Sequence, residues 1–350
     1  MFLLDQRGTG RSTPVTARTI AQFPDGESAA DYLLCFRADS IVADAEHIRR
    51  SLWSGKPWAS LGQSYGGFLT LTYLSRHPEA LTAAYVTGGL PGITADAPEV
   101  YRRTFDLQSA RNREFARRFP DDVAALGRLA DRAAQGGITL PTGEFLTPER
   151  VQLLGMGLGM STGADGVHWL LDGAFDPDGE PRLGFLASLG QASDFASNPL
   201  YAVLHESIYH QGHRESGWAA ADEYASRPDF AASSRPLMLT GEAIFPWMYQ
   251  QIPALRPFAA AADALAARTE YSQLYDLEAL ARNEVPVAAV QYVTDPCVDL
   301  DLALETSGAV GNVRVWATNE YLHDGLRVAG DVILPRLMDL AAGRWQISQP

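Results

Sequence analysis

Ser64 stands in Gly62-Gln63-Ser64-Tyr65-Gly66-Gly67, with an apolar run before it (Trp58, Ala59, Leu61) and a helical pattern after it (Phe68, Leu69, Leu71, Tyr73, Leu74). Strand, sharp turn and helix in that order make a nucleophile elbow, a G-x-S-x-G turn that lifts the serine hydroxyl clear of the chain. So tight a turn brings flanking residues into collision, and Gly62, Gly66 and Gly67 are read as relieving it because glycine has no Cβ. The same turn directs the N–H of Tyr65 to the side where an oxyanion would form. The motif is short, and the chain holds a second match, Gly159-Met160-Ser161-Thr162-Gly163. That one follows Leu154-Gly155-Met156-Gly157-Leu158, which is no strand, and runs into Ala164-Asp165-Gly166, a poor helix start. It is set aside.

A serine hydroxyl is a poor nucleophile at neutral pH and needs a base within hydrogen-bond reach, itself oriented by a third group. Behind an elbow those partners follow in the order Asp or Glu, then His, each just past the C-terminal end of a strand. Asp295 closes the apolar run Val285–Val293, and His323 lies a few residues beyond the run Asn312–Ala317. Ser64, Asp295 and His323 are therefore expected as nucleophile, orienting carboxylate and general base. Asp299 and Asp301 fit better as N-terminal residues of the next helix. His47 and His77 sit on or after surface helices, and His168, His205, His210 and His213 fall in a stretch without strands. Glu206, His210 and His213 would share a helix face as metal ligands, but nothing completes the site and the H-E-x-x-H order is absent. No metal is expected.

The elements that must position these groups are legible around them. Met1–Leu4 reads as the end of a buried strand, followed by a tight loop over Asp5–Pro14 marked by Gly8, Gly10 and Pro14. Ser40 is expected to cap a helix with Ile41, Ala45, Ile48 and Leu52 on its apolar face. After the elbow helix, which runs to His77-Pro78, comes a short strand near Ala83–Thr87. Strand, helix and strand with short links describe a parallel α/β sheet. From about Ala97 to Pro236 helices dominate: Tyr101–Phe119, Pro120–Ala134, a start at Thr147-Pro148-Glu149 and Asn198–Tyr209. That block carries no convincing strand and reads as a helical insertion over the sheet. The sheet pattern returns with Val285–Val293, a helix over Leu300–Glu305, the strand Asn312–Ala317 and a closing helix from Leu326 to Ala342.

Composition bounds the rest. A chain of 350 residues with 46% apolar and 20% charged residues is that of a globular protein with one large core or an insertion. The net charge of −14 argues against nucleic acid or an anionic membrane surface as partner. Arginine is common and Lys56 is the single lysine, which we read as coding bias. Cys35 and Cys297 make no disulfide framework. No apolar run reaches the roughly 18 residues a membrane span needs, and no signal peptide is visible, so a cytoplasmic location is expected.

Five stretches give the chain a family likeness: DQRGTGRSTP (Asp5–Pro14), GQSYGGF (Gly62–Phe68), HESIY (His205–Tyr209), GEAIFPWM (Gly241–Met248) and TNEYLHDGLR (Thr318–Arg327). In this order, over nearly the whole chain, they resemble the prolyl aminopeptidases (proline iminopeptidases). The resemblance implies an α/β-hydrolase fold, a mostly parallel sheet flanked by helices with a helical cap. Residues 1–96 would be the first part of the core and 97–240 the mainly helical cap. Residues 241–350 would complete the chain, with the core resuming near 285. It also implies a serine peptidase without cofactor, acting on short peptides with N-terminal proline, in which Glu206 and Glu242 hold the free amine.

Charge-assisted bonds to an ammonium are each worth about 1.5–3 kcal/mol, and an acylated substrate would leave both carboxylates buried and unpaired. Phe245, Pro246, Trp247 and Tyr249 are expected to form the apolar slot for the pyrrolidine ring. Family members carry an HGGPG-like loop ahead of the strand ending in DQRG. It supplies a second oxyanion donor, and it and the strand before it are absent from this sequence. A start codon placed too late would account for that. Pro296-Cys297 also departs from the larger hydrophobic and aromatic expected after the acid. Two other readings fit the same residues: a broader aminopeptidase or esterase on this scaffold, and an inactive, N-terminally truncated fragment. Oligomeric state is not legible.

Overall fold

The computed structural model describes residues 2–214 and 217–344. Four strands, β1 (Trp58–Gln63), β2 (Leu81–Thr87), β3 (Val287–Tyr292) and β4 (Val313–Thr318), form a fully parallel sheet in that order. Register pairs Gly62 with Val86, Val86 with Ala289, and Val290 with Trp316. Every residue of β3 is buried, as a central parallel strand covered on both faces requires.

Side chains alternate across the sheet. Val287 and Ala289 pack with Leu71, Leu74 and Val86 in one core. Helices α1 (Ala38–Leu52) and α2 (Tyr65–Arg76) contribute Val42, Leu71 and Leu74 to it. Ala288, Val290 and Tyr292 face the other way, onto Ile333 and Leu337. The period of two along one strand thus joins helices from both layers.

Between β2 and β3 the chain is mostly helical. Helix α3 (Ala97–Arg118) starts where the Asp96 carboxylate accepts the N–H of Glu99, with Pro98 in the first turn. Pro120–Ala134 and α4 (Gly163–Asp172) pack with it around Phe115, Leu126, Leu129, Leu154 and Val167, a core separate from those of the sheet. Helix Gly26–Leu34 lies on Ala259–Ala267 so closely that a Cβ on Gly26 would sit 2.4 Å from the Ala260 carbonyl oxygen. A fourth core therefore joins Leu33, from before β1, to Leu200, Phe245 and Leu265. Beyond β3, α5 (Leu300–Ala309) is capped by Asp299 accepting from Leu302, and α6 (Gly325–Ala341) closes the sheet, kinked at Ala329. No helix among the described residues is long and apolar enough to cross a membrane.

Several expectations need correction. Phe2, Leu3 and Leu4 join no strand and are exposed; Met1 lies outside the described residues. No strand among those residues pairs with them, and Phe2 instead turns its ring edge-on to Trp53, 5.3 Å between centroids. Ser40 is not the cap: α1 begins at Ala38 behind Arg37, whose buried guanidinium reaches Ser272 and fixes the chain there. The mainly helical stretch contains a two-residue strand, Gly212–His213, paired antiparallel with Glu270–Tyr271. Its partner is too distant in sequence for local periodicity to show it. The same strand separates the supposed metal ligands. Glu206 sits in a 3₁₀ turn and His213, on the strand, pairs with Glu270 at 2.7 Å, so they share no helix face.

Candidate active site

The elbow carries backbone strain. Ser64 adopts φ 55°, ψ −123°, a region that costs a non-glycine residue about 1–3 kcal/mol. It is held by its N–H donating to Thr87 O (3.0 Å) and its carbonyl accepting from Gly67 N (2.7 Å). A Cβ on Gly62 would lie 2.0 Å from Gly66 O, and one on Gly67 2.1 Å from Gly89 O. Gly66 differs from expectation: a Cβ there meets nothing within 4 Å. Tyr65 opens α2, so its N–H has no intrahelical acceptor, and Tyr65 borders the same cavity as Ser64.

Ser64, Asp295 and His323 come together. Nε2 of His323 is 2.7 Å from Ser64 Oγ, and Nδ1 is 2.8 Å from Asp295 Oδ2. With Nδ1–H donating to the carboxylate, Nε2 is the acceptor for the serine proton. Asp295 and His323 are both buried, and Asp295 Oδ1 accepts the Cys297 N–H at 2.8 Å. The His323 main chain is held as well: its N–H donates to Gly159 O (3.1 Å), and its carbonyl accepts from Gln63 Nε2 (3.1 Å). Burial by itself lowers the pKa of His323. The charge of Asp295 and the hydrogen bond to it, with Glu242 and Asp324 behind, outweigh that and raise it to about 9. Such an arrangement can generate a serine nucleophile and return a proton to a leaving group.

Two cavities meet at Ser64. One, of about 120 Å³, is lined by Phe36, Phe68, Leu200, Tyr201, Tyr209 and Glu242 among others, with Gln6 and Thr9 of the Asp5–Pro14 loop at its border. The other, of about 570 Å³, opens toward Met156, Met160, His323 and Arg327. Glu242 borders both and accepts the Tyr201 hydroxyl proton at 2.5 Å. Burial alone would raise its pKa, but the charges of His205 and His323 and the bonds from Tyr201 and Cys297 hold it below the ordinary value, so it is ionised.

Glu206 lines neither cavity. Its Oε1 accepts the N–H of Ala219 at 3.0 Å, while its Oε2 is buried without a partner. Burial first, then the charge of Glu206 and after it those of Tyr209 and Glu242, push up the Tyr101 phenol, so each carboxylate acts on that ring. The aromatic residues expected to form an apolar slot do not line these two cavities. Phe245 and Tyr249 are buried in the core that Trp247 packs against, and neither they nor Pro246 border either of these two cavities. Phe36, Phe68, Tyr201 and Tyr209 are among the aromatic residues that line the smaller cavity instead, and their local sequence carries no signal of it. Cys297, the departure noted after the acid, lines both cavities. Burial, with Glu242 and Asp295 beside it, pushes its thiol well up, so it does not compete as a thiolate nucleophile.

A serine, histidine and aspartate at the C-terminal ends of parallel strands, beneath a helical layer, define an α/β hydrolase. Residues 1–135 match the alpha/beta hydrolase fold family model. The chain is 44% identical to a proline iminopeptidase of Aeromonas sobria over 97% of its own length and 80% of the relative's. It is 34% identical to a proline iminopeptidase of Aspergillus aculeatus, covering 98% and 78% of the two chains. A crystal structure of proline iminopeptidase from Mycobacterium smegmatis aligns at a TM-score of 0.43 and 13% identity, over 97% of this chain and 80% of that one. The chain belongs to the proline iminopeptidase family, whose members are enzymes.

Proposed function

We propose that the protein is a serine aminopeptidase that releases N-terminal proline from short peptides through an acyl-enzyme. The observation that carries the reading is the hydrogen-bonded series Ser64–His323–Asp295 opening into a cavity that also holds the ionised Glu242. The prolyl ring enters the small aromatic cavity, with its ammonium directed at Glu242 and the charge of Glu206 behind it. Ser64 Oγ attacks the prolyl carbonyl as His323 Nε2 takes its proton, and Asp295 stabilises the imidazolium. The N–H of Tyr65 donates to the oxyanion. His323 then protonates the leaving amine, which departs through the larger cavity with the rest of the peptide. A water, activated by the same histidine, releases proline from Ser64.

The requirement for a free amine follows from desolvation. Glu242 is already removed from bulk water, and an N-acylated substrate would cover it without offering a cation. Hydrolysis of a chromogenic proline amide tests the proposal. Turnover is expected for the free amine and not for its N-acetyl form; equal rates on both, or activity surviving Ser64→Ala, would overturn it.

A further inference from the structure

The rejected serine motif touches the base loop. Ser161 donates twice to one oxygen of Asp324, from Oγ at 2.6 Å and from its N–H at 2.8 Å. Two residues earlier, Gly159 O accepts the N–H of His323 at 3.1 Å. A Cβ on Gly159 would lie 3.1 Å from Pro296 and 3.3 Å from the Cys297 sulfur, so the same turn also abuts the loop that carries Asp295. The turn is closed on itself: a Cβ on Gly163 would fall 1.5 Å from Gly157 O. Helix α3 supports it from behind, through Gln108 Nε2 donating to Gly155 O (3.2 Å) and Arg111 Nε donating to Leu158 O (3.1 Å).

From this geometry we infer that Ser161 is a positioning residue for the general base, fastening the His323 loop to the helical layer through Asp324. The inference rests on Ser64 and His323 acting as proposed above. Asp324 shares its surroundings with Asp295 and Glu242, and three carboxylates around one imidazole repel one another. Two donors on Asp324 hold it against that repulsion. With Gln63 gripping the His323 carbonyl from the elbow strand, the imidazole is set between sheet and helical layer. Displacing a base by about 1 Å is enough to cost on the order of 10²-fold in rate.

The test is the rate at which a fluorophosphonate probe labels Ser64, read beside the thermal unfolding midpoint. Ser161→Ala is expected to label about ten-fold more slowly, the scale of one charge-assisted hydrogen bond, with the midpoint lowered by no more than about 4 °C. Ser161→Thr, which keeps the hydroxyl, should restore the rate to within about two-fold. If Ser161 works through Asp324, the double variant Ser161→Ala/Asp324→Ala labels no more slowly than Asp324→Ala alone. Wild-type labelling by Ser161→Ala, failure of the Thr variant to restore it, or multiplied losses in the double variant would each overturn the inference. Labelling needs only an activated Ser64, so a failure to release proline would count against the proposed substrate and leave this outcome unchanged.

Discussion

Ser64 Oγ and His323 Nε2 are separated by 259 residues in the chain and by 2.7 Å in space. Nearly the whole helical layer intervenes between them in sequence. The contact exists because β1 and β4 lie in one parallel sheet, so that the turns following both strands emerge at the same edge. What the contact does can be checked by removing its members in turn.

Ser64→Ala removes the nucleophile, and Asp295→Asn leaves His323 without the carboxylate that orients it. Each is expected to lower kcat on a proline amide by about 10⁴-fold or more, with KM far less affected. Steady-state kinetics on the purified variants decide this. A loss below ten-fold in either would remove that residue from the proposed mechanism.

The pKa of His323 makes the base pH-dependent. Only the neutral imidazole accepts the Ser64 proton, so fluorophosphonate labelling should climb about ten-fold per pH unit toward about 9 and then level off. The groups facing the ring are Asp295, Asp324, Glu242 and the Cys297 thiol. Asp324→Asn removes one negative charge and should move the rise to lower pH. Stability runs the other way. The folded pKa lies above the ordinary 6.5, so the stabilisation is complete below about 6.5 and is lost as pH rises through about 9. A labelling rate flat between pH 7 and 9 would contradict the first statement, and a urea midpoint unchanged over that window the second.

Glu242→Gln keeps the shape and the bond with Tyr201 but removes the charge. It is expected to cost about 10–100-fold in kcat/KM on a free-amine substrate and to leave the poor rate on the N-acetyl analogue unchanged. Glu206→Gln should cost less, because Glu206 borders neither cavity. Equal penalties on acylated and free substrates would show that Glu242 supports the fold and does not read the amine.

Gly62→Ala should prevent stable folding, with a loss of about 4 kcal/mol or more, since its Cβ would lie 2.0 Å from a backbone oxygen that cannot move without opening the elbow. Gly66→Ala should be tolerated, or gain up to about 1 kcal/mol from better helix propensity. Urea denaturation of the two variants measures the contrast. Similar midpoints would mean the elbow relaxes in a way this geometry does not contain.

Local chemistry determined much by itself. The elbow is legible at Ser64 because a strained turn demands glycines at fixed offsets, and Asp295 and His323 are legible because they follow apolar strand runs. The same local signals placed β3, β4 and the helix that begins after Asp299, whereas the start of α3 at Asp96, ahead of the expected Tyr101, was not legible. Only the tertiary structure decided which aromatic residues line the cavity. Phe36, Phe68, Tyr201 and Tyr209 come from separate elements, while the contiguous run at Phe245–Tyr249 turns into a core. It also decided what Ser161 touches. Read along the chain, Gly159–Gly163 is a failed nucleophile motif; folded, it meets Asp324 and the backbone of His323. Short-range periodicity and turn chemistry report on neighbours a few residues away, whereas a cavity wall and a loop clasp are contacts between segments far apart in sequence. Those are set by how the helical layer lies on the sheet.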